Sequence, residues 1–221
     1  MLILNNLIKN MNIADIRKEY TLKSLELEDV GDSPIPYFLI WLEEAIKSAT
    51  LEVNAMNLST INVKNRPSSR IVLLKGVDHG FVFYTNYDSR KGQELAENPF
   101  AALTFFWPEL ERQVRIEGRV EKVSREVSDI YYLSRPLNSQ VGAWASPQSQ
   151  PIPDREFLEK RIKSGLERFR SEALKRPDNW GGYRVIPDYM EFWQGRASRL
   201  HDRIAFSKEE NGMWGKKRLA P

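Results

Sequence analysis

Apolar positions change their spacing several times along the chain, and each change predicts an element. Ile35, Leu39, Leu42 and Ile46 recur at helical intervals with Glu43, Glu44 and Lys47 between them. That spacing predicts a packing helix, opened by Ser33-Pro-Ile-Pro and running to about Ala49. A strand over about 55–63 then reaches the turn Asn65-Arg66-Pro67. Two β-branched and aromatic runs follow, Arg70–Lys75 and Phe81–Asn86, on either side of Gly76-Val77-Asp78-His79-Gly80. They predict a β-hairpin whose strands are buried on both faces. Strict alternation sets Arg70 and Lys75 on opposite faces, so the two cations need not serve one partner. Asp88 or Ser89 caps a helix that runs to about Asn98.

The run 100–107 is apolar enough to predict a buried strand, whereas Val114, Ile116, Gly118 and Val120 alternate with polar residues as a half-buried strand does. A short helix over 125–134 is stopped by Pro136, and a loop rich in Ser, Gln, Gly and Pro extends to Pro153. Asp154 caps a helix reaching about Phe169, with Leu158, Ile162, Leu166 and Phe169 inward. Strands at about 182–186, 189–193 and 203–207 lead to a closing hairpin at Glu210-Asn211-Gly212. Seven or so short strands with helices between them predict a mainly β, α+β fold: a closed or partly closed antiparallel barrel.

Composition narrows the chemistry. With 221 residues, 41% of them hydrophobic, the chain suits one domain with a sizeable core. The expected division is a terminal segment, 1–20, ahead of a single domain, 21–221; Met11 is a plausible alternative start. The absence of cysteine removes disulfides and thiol catalysis and suits a reducing, cytoplasmic compartment. Two histidines, His79 and His201, cannot form a His-rich metal cluster, so no metal is expected. No apolar run approaches the roughly 18 residues of a membrane span, and the amino terminus makes a poor signal peptide. The net charge of +3 suits nucleic acid or a small phosphorylated ligand. The aromatics lie in apolar runs rather than between cations, which argues against nucleic acid. Lys160, Arg161, Lys163, Arg168 and Arg170 accordingly read as a solvated helix face.

Three placements carry candidate chemistry. Arg90 and Lys91 occupy the first turn of the helix at 89–98, where the macrodipole is already positive. They are either two solvated cations or half of an anion site completed by free backbone N–H groups. Tyr131 and Arg135 share a helix face and Ser139 follows, so a phenol, a guanidinium and a hydroxyl can surround one phosphate. Gln113 lies on the polar face of its strand, either solvated or against a polar cofactor edge.

Arg70-Ile-Val-Leu-Leu-Lys75, Phe83-Tyr-Thr-Asn86 and Ser89-Arg-Lys91 together resemble the FMN-binding segment of the pyridoxine/pyridoxamine 5'-phosphate oxidase family. The resemblance continues through Glu111-Arg-Gln-Val114, Ser134-Arg-Pro136, Ser139-Gln-Val-Gly-Ala-Trp144 and Gln148-Ser149. It extends to Glu191-Phe-Trp-Gln-Gly195, Arg199-Leu-His-Asp-Arg203 and Arg218-Leu-Ala-Pro221, covering nearly everything from Ile13 onward. It implies an FMN-binding split barrel, homodimeric, with the cofactor at the subunit interface. The implied reaction is oxidation of pyridoxamine and pyridoxine 5'-phosphates by O2 to pyridoxal 5'-phosphate and hydrogen peroxide. FMN supplies the hydride chemistry, so no nucleophilic triad is needed.

By the same resemblance Arg70, Ile71, Val72, Leu73, Leu74, Lys75, Tyr84, Thr85, Arg90, Lys91, Gln148 and Ser149 hold FMN, with Gln113, Trp193 and Arg203 near the flavin ring. Lys75, Tyr131, Arg135 and Ser139 hold the substrate phosphate. Arg199, Leu200 and His201 flank the pyridine ring, with Arg199 and His201 catalytic, and Arg17 and Tyr20 fold over the substrate. Lys18 stands where relatives often carry a second arginine, and Arg196-Ala-Ser198 matches nothing assigned. The alternative is a related split-barrel flavin reductase or an FMN-dependent oxidoreductase with another substrate. It retains the FMN residues but not Tyr131, Arg135, Ser139 and Arg199-Leu-His201.

Overall fold

The computed structural model describes residues 18–170 and 172–221; Arg17 and the rest of the first 17 residues lie outside them. Its centre is one antiparallel sheet of nine strands: β1 (Ala55–Ile61), β2 (Pro67–Leu73), β3 (Gly76–Val77), β4 (Phe81–Asn86), β5 (Phe100–Trp107), β6 (Arg112–Lys122), β7 (Trp180–Gln194), β8 (Asp202–Lys208) and β9 (Trp214–Leu219). The strand order is β2-β1-β5-β6-β7-β4-β3, with β8 and β9 branching from β7. Among the described residues five α-helices surround it: α1 (Pro34–Lys47), α2 (Arg90–Glu97), α3 (Arg125–Ser134), α4 (Leu137–Ala145) and α5 (Arg155–Arg168).

β7 organises the sheet because it changes neighbours along its length. Its first part, Trp180–Val185, pairs with β4, and its last part, Tyr189–Gln194, pairs with β8. Pro187 does not break it into the two strands expected. The irregularity is absorbed as a register shift against Glu117/Gly118 of β6, where a Cβ on Gly118 would lie 2.0 Å from the Ile186 carbonyl oxygen. The two ends of the sheet path, β2 and β3, are joined through Leu74 and Lys75, which extend the neighbouring ladders: Leu74 N donates to Asn54 O beside β1 and Lys75 N to Val82 O in β4, each at 2.8 Å. The sheet therefore curls into the partly closed antiparallel barrel that the strand count implied and that the resemblance sharpens to a split barrel.

The expected hairpin between Arg70–Lys75 and Phe81–Asn86 is corrected by this topology. β2 pairs with β1, residue for residue from Ala55↔Leu73 to Ile61↔Pro67, while β4 pairs with the two-residue β3 and with β7. Nor is β2 buried on both faces, because Ile71 and Leu73 are exposed. α1 is also rotated from its expected phase. Phe38, Trp41 and Ala45 enter the core while Leu39 and Ile46 stay exposed. The aromatic face buries more apolar area, and the Phe38 ring meets Phe81 edge-on at 4.9 Å. The remaining core comes from the inward positions of β1, β4, β5, β6, β7 and β8, including Leu58, Phe83, Phe105, Ile116, Phe192 and Phe206. The stretch expected as a loop after Pro136 contains α4, whose Val141 and Ala145 are buried beside α5. Among the described residues no helix is long and apolar enough to cross a membrane, and no group of three potential metal ligands converges.

Candidate active site

The first turn of α2 is built by its neighbours. Asn86 Oδ1 accepts Asp88 N at 2.7 Å, and Ser89 Oγ accepts Gly92 N at 3.3 Å while donating to Asn86 O at 2.6 Å. Ser89, rather than Asp88, is therefore the cap. A Cβ on Gly92 would lie 2.1 Å from Tyr87 O, so only glycine lets the helix start this close to the end of β4. The geometry aims Lys91 inward, where Nζ lies 3.0 Å from Thr85 Oγ1 and 3.4 Å from both Ser89 Oγ and Gln148 Oε1. All three partners are neutral. Burial, followed by the nearby Arg70 charge, pushes the Lys91 ammonium down to about 8.

Arg70 takes a different role. Its guanidinium donates to Thr60 Oγ1 at 2.6 Å, to Ser68 Oγ and to Glu94 Oε2 at 3.2 Å. Arg90 Nε donates to the other oxygen of Glu94 at 2.9 Å, leaving the rest of that side chain exposed. Burial would raise the Glu94 carboxyl, but hydrogen bonds from Thr60, Ser68 and Arg90 and the Arg70 charge hold it at about 2. Glu94 thus fastens two of the expected anion-binding cations to one buried carboxylate.

A cavity of about 660 Å³ opens over this cluster. It is lined by Arg70, Ile71, Val72, Leu73, Lys75, Tyr84, Thr85 and Lys91 from β2 to α2, and by Tyr131, Arg135, Ser139, Gln148 and Trp180 from later in the chain. Arg70 and Lys75 therefore share a cavity despite the opposite faces expected of them. β2 ends at Leu73, and the turn that follows breaks the alternation. Tyr131 stacks on Tyr84 at 3.8 Å, and the Arg135 guanidinium lies 4.8 Å from the Trp180 ring centre. Arg135 Nη1 is buried and has no hydrogen-bond partner. Leu74 is buried in the core, and neither it nor Arg90 nor the exposed Ser149 lines this cavity.

Gln113, Trp193 and Arg203 form a second group. Strand register sets them side by side on β6, β7 and β8. Arg203 is pinned by Glu191 through bonds of 2.8 and 3.0 Å and donates to Ala220 O at 2.9 Å. His201 packs on Trp193 at 4.5 Å, and Tyr20 meets both rings edge-on. Arg196 N donates to His201 Nδ1 at 3.1 Å, which assigns the neutral ring's proton to Nε2. Burial, then the Arg199 charge, lowers the His201 pKa and favours that neutral ring. Arg199 and Leu200 are exposed, and Ser198 and Arg199 have left-handed φ values of 56° and 61°. None of Tyr20, Gln113, Trp193, Arg199, His201 and Arg203 lines the 660 Å³ cavity. One chain therefore carries two separate groups of candidate residues. Glu94 and Trp180 are not singled out in the sequence, and Glu111 enters there only as the first residue of a motif of the resemblance, with no role; the Arg90–Glu94 spacing is the one local signal.

A family model described as pyridoxamine 5'-phosphate oxidase matches residues 42–168, and one described as pyridoxine 5'-phosphate oxidase C-terminal dimerisation region matches residues 180–221. The chain is 58% identical over 210 residues to a pyridoxine/pyridoxamine 5'-phosphate oxidase of Leptospira interrogans, covering 95% of this chain and 98% of that one. It is 52% identical over 212 residues to the protein of that name from Cytophaga hutchinsonii, covering 95% and 99%. PhzG from Burkholderia lata, solved with tetrahydrophenazine-1-carboxylic acid, superposes with a TM-score of 0.86 at 31% identity, covering 92% of this chain and 100% of that one. An FMN-binding protein related to pyridoxamine 5'-phosphate oxidase, from Nostoc punctiforme, shares the fold at a TM-score of 0.70 and 14% identity, covering 86% and 98%.

Proposed function

The chain belongs to the pyridoxamine 5'-phosphate oxidase family, and from that premise we propose that it oxidises pyridoxamine and pyridoxine 5'-phosphates to pyridoxal 5'-phosphate with FMN and O2. The observation that carries the proposal is a pair of unmatched cationic groups in one cavity. Lys91 is buried among neutral oxygens, and Arg135 Nη1 is buried with no partner. A buried cation without a counter-charge is costly, and two anionic phosphates relieve both. Lys91, Arg70, Thr85 and Gln148 would hold the cofactor phosphate. Lys75, Tyr131, Arg135 and Ser139 would hold that of the substrate.

FMN, when bound, supplies the acceptor for the substrate's hydride and the route of the electrons to O2. The chain's own residues bind and orient. In the homodimer that the dimerisation region supports, we assign Gln113, Trp193, Arg199, His201 and Arg203 to the cavity of the partner copy. This explains why one chain holds the two groups apart. Arg199 would place a fixed positive charge beside the reacting carbon, and neutral His201 would offer an Nε2–H donor there. Arg17, Tyr20 and Leu200 would complete the substrate contacts, with Ile71 to Leu74, Tyr84, Arg90 and Ser149 around the cofactor. The resemblance to PhzG admits another substrate on the same scaffold, but Lys75, Tyr131, Arg135 and Ser139 favour a phosphorylated one.

The test is spectroscopic. The purified protein should be yellow and release FMN on denaturation. Anaerobic pyridoxamine 5'-phosphate should bleach the flavin band, and O2 should restore it as pyridoxal 5'-phosphate appears. A flavin that this substrate leaves oxidised refutes the proposal.

A further inference from the structure

We infer that Glu111 is a positioning residue whose buried carboxylate fixes the segment bearing Tyr20 against Trp193 and His201, and so sets how tightly substrate is held. The inference rests on the function proposed above for the identity of that substrate, and on geometry for the rest.

Glu111 lies in the turn between β5 and β6 with a left-handed φ of 55°, a conformation that a Glu side chain rarely adopts and a glycine would take freely. It is 3% exposed. One carboxylate oxygen, Oε2, accepts two backbone N–H groups, Thr21 N at 2.9 Å and Leu22 N at 3.1 Å. Lys18 Nζ lies 3.9 Å from the other oxygen and is mostly exposed, so it adds little. The backbone carbonyl of the same residue accepts Gly195 N at 2.8 Å and Gln194 Nε2 at 3.3 Å. Glu111 therefore ties three pieces of chain together: the segment 20–22, its own turn, and the end of β7 that feeds the Arg199–His201 loop.

Tyr20 immediately precedes the two donors. Its ring meets Trp193 at 5.7 Å and His201 at 5.8 Å, both edge-on. The approach is close enough that a Cβ on Gly195 would lie 2.7 Å from the Tyr20 ring. A second tie is weaker and exposed, with Ser198 N donating to Glu19 Oε2 at 3.3 Å. Buried and accepting two backbone N–H groups, the Glu111 carboxylate is the stronger latch. Without it the Thr21 and Leu22 N–H groups lose their acceptor, and Tyr20 loses its fixed place beside the loop.

The experiment uses the FMN-loaded dimer with pyridoxamine 5'-phosphate. Wild-type turnover is measured first, since its absence would indict the proposed function rather than the latch. Glu111→Ala should raise KM by about 10-fold while kcat stays within about 2-fold and FMN affinity is unchanged. Tryptic cleavage after Lys18 should quicken, a readout independent of substrate. Glu111→Gln keeps an acceptor oxygen at the same reach and should restore most of the wild-type KM. Glu111→Asp suits the left-handed backbone but is one methylene short, so it should show a smaller KM increase even if the alanine variant fails to fold. Because Glu111 acts through Tyr20, Glu111→Asp and Tyr20→Ala together should cost no more than Tyr20→Ala alone. Losses that add, a fall in kcat or FMN affinity with KM unmoved, or unchanged kinetics and proteolysis would each overturn the inference.

Discussion

Raising the pH from 7 to 9 should strip charge from Lys91, and the affinity for FMN should fall with it. In the free protein burial and the Arg70 charge set the Lys91 pKa at about 8, so the ammonium is charged at neutral pH and loses its proton through that value. A bound phosphate favours the charged form and raises the pKa, so binding takes up a proton wherever free Lys91 has lost it. At pH 9 about a tenth of the free lysine remains protonated, which predicts a Kd about 10-fold weaker than at pH 7, or about 1.4 kcal/mol. The cofactor phosphate does not interfere, since its second pKa is about 6. Quenching of FMN fluorescence by the stripped protein, titrated across this range, measures the effect. Riboflavin, which lacks the phosphate, should bind with a flat profile. So should FMN with Lys91→Met, at an affinity no better than the wild type's at high pH. A wild-type Kd that is constant from pH 7 to 9, or a slope that persists in Lys91→Met, would refute the assignment.

The other cationic groups and Glu94 yield further expectations. Arg135→Ala should raise KM sharply for pyridoxamine 5'-phosphate and barely alter turnover of the unphosphorylated amine; equal losses on both would make Arg135 structural. Arg199→Ala should lower kcat/KM by about 100-fold, some 2.7 kcal/mol, with FMN retained. Anaerobic stopped-flow reduction of the flavin at the parent rate, at both low and saturating substrate, would remove Arg199 from the chemistry. Glu94 is held below its unfolded pKa, so its contribution is present above about 4.5 and lost as pH falls toward about 2. Discounted for the exposed Arg90 partner, that contribution is about 2 kcal/mol. Urea unfolding should show wild type losing this much more than Glu94→Gln between about pH 5 and 2, and parallel losses would contradict it.

Local signals were the most legible part of the chain. Ser89 opens α2 and Asp154 opens α5 where the sequence places caps, because capping is decided within four residues. Strand alternation in β6 set Gln113 on its partly exposed face. Failures came where distant chain decides the outcome. Arg70–Lys75 and Phe81–Asn86 look like a hairpin locally, yet β1 and β7 are their principal partners. In α1, either of two apolar faces could have met the core, and the one with Phe38 and Trp41 did. α4 is poor in helical periodicity, so its Ser, Gln and Gly content reads as loop. For the candidate site, the cations carried a pattern but their supports did not. Nothing near Glu111 or Trp180 in sequence reveals the Thr21 N–H or the Arg135 guanidinium that each meets in space.

The central place of β7 bears on how the chain acquires its structure. This strand starts at Trp180, yet it is the main partner of β4, which ended at Asn86, and it also flanks β6. Until about residue 185 has been synthesised, β4 and the two-residue β3 can pair only with each other, and until about residue 194 β6 presents an open edge. Contacts spanning about a hundred residues are slow to form because the intervening chain must close first. The barrel is therefore completed late and nearly at once, and the apolar β-rich segment Phe81–Asn86 waits for it with an unsatisfied edge. Such intermediates are prone to aggregate. A substitution that delays pairing of β7, for instance at Gly182 where a Cβ would lie 2.6 Å from Val123, should reduce the yield of soluble protein far more than it impairs the molecules that do fold.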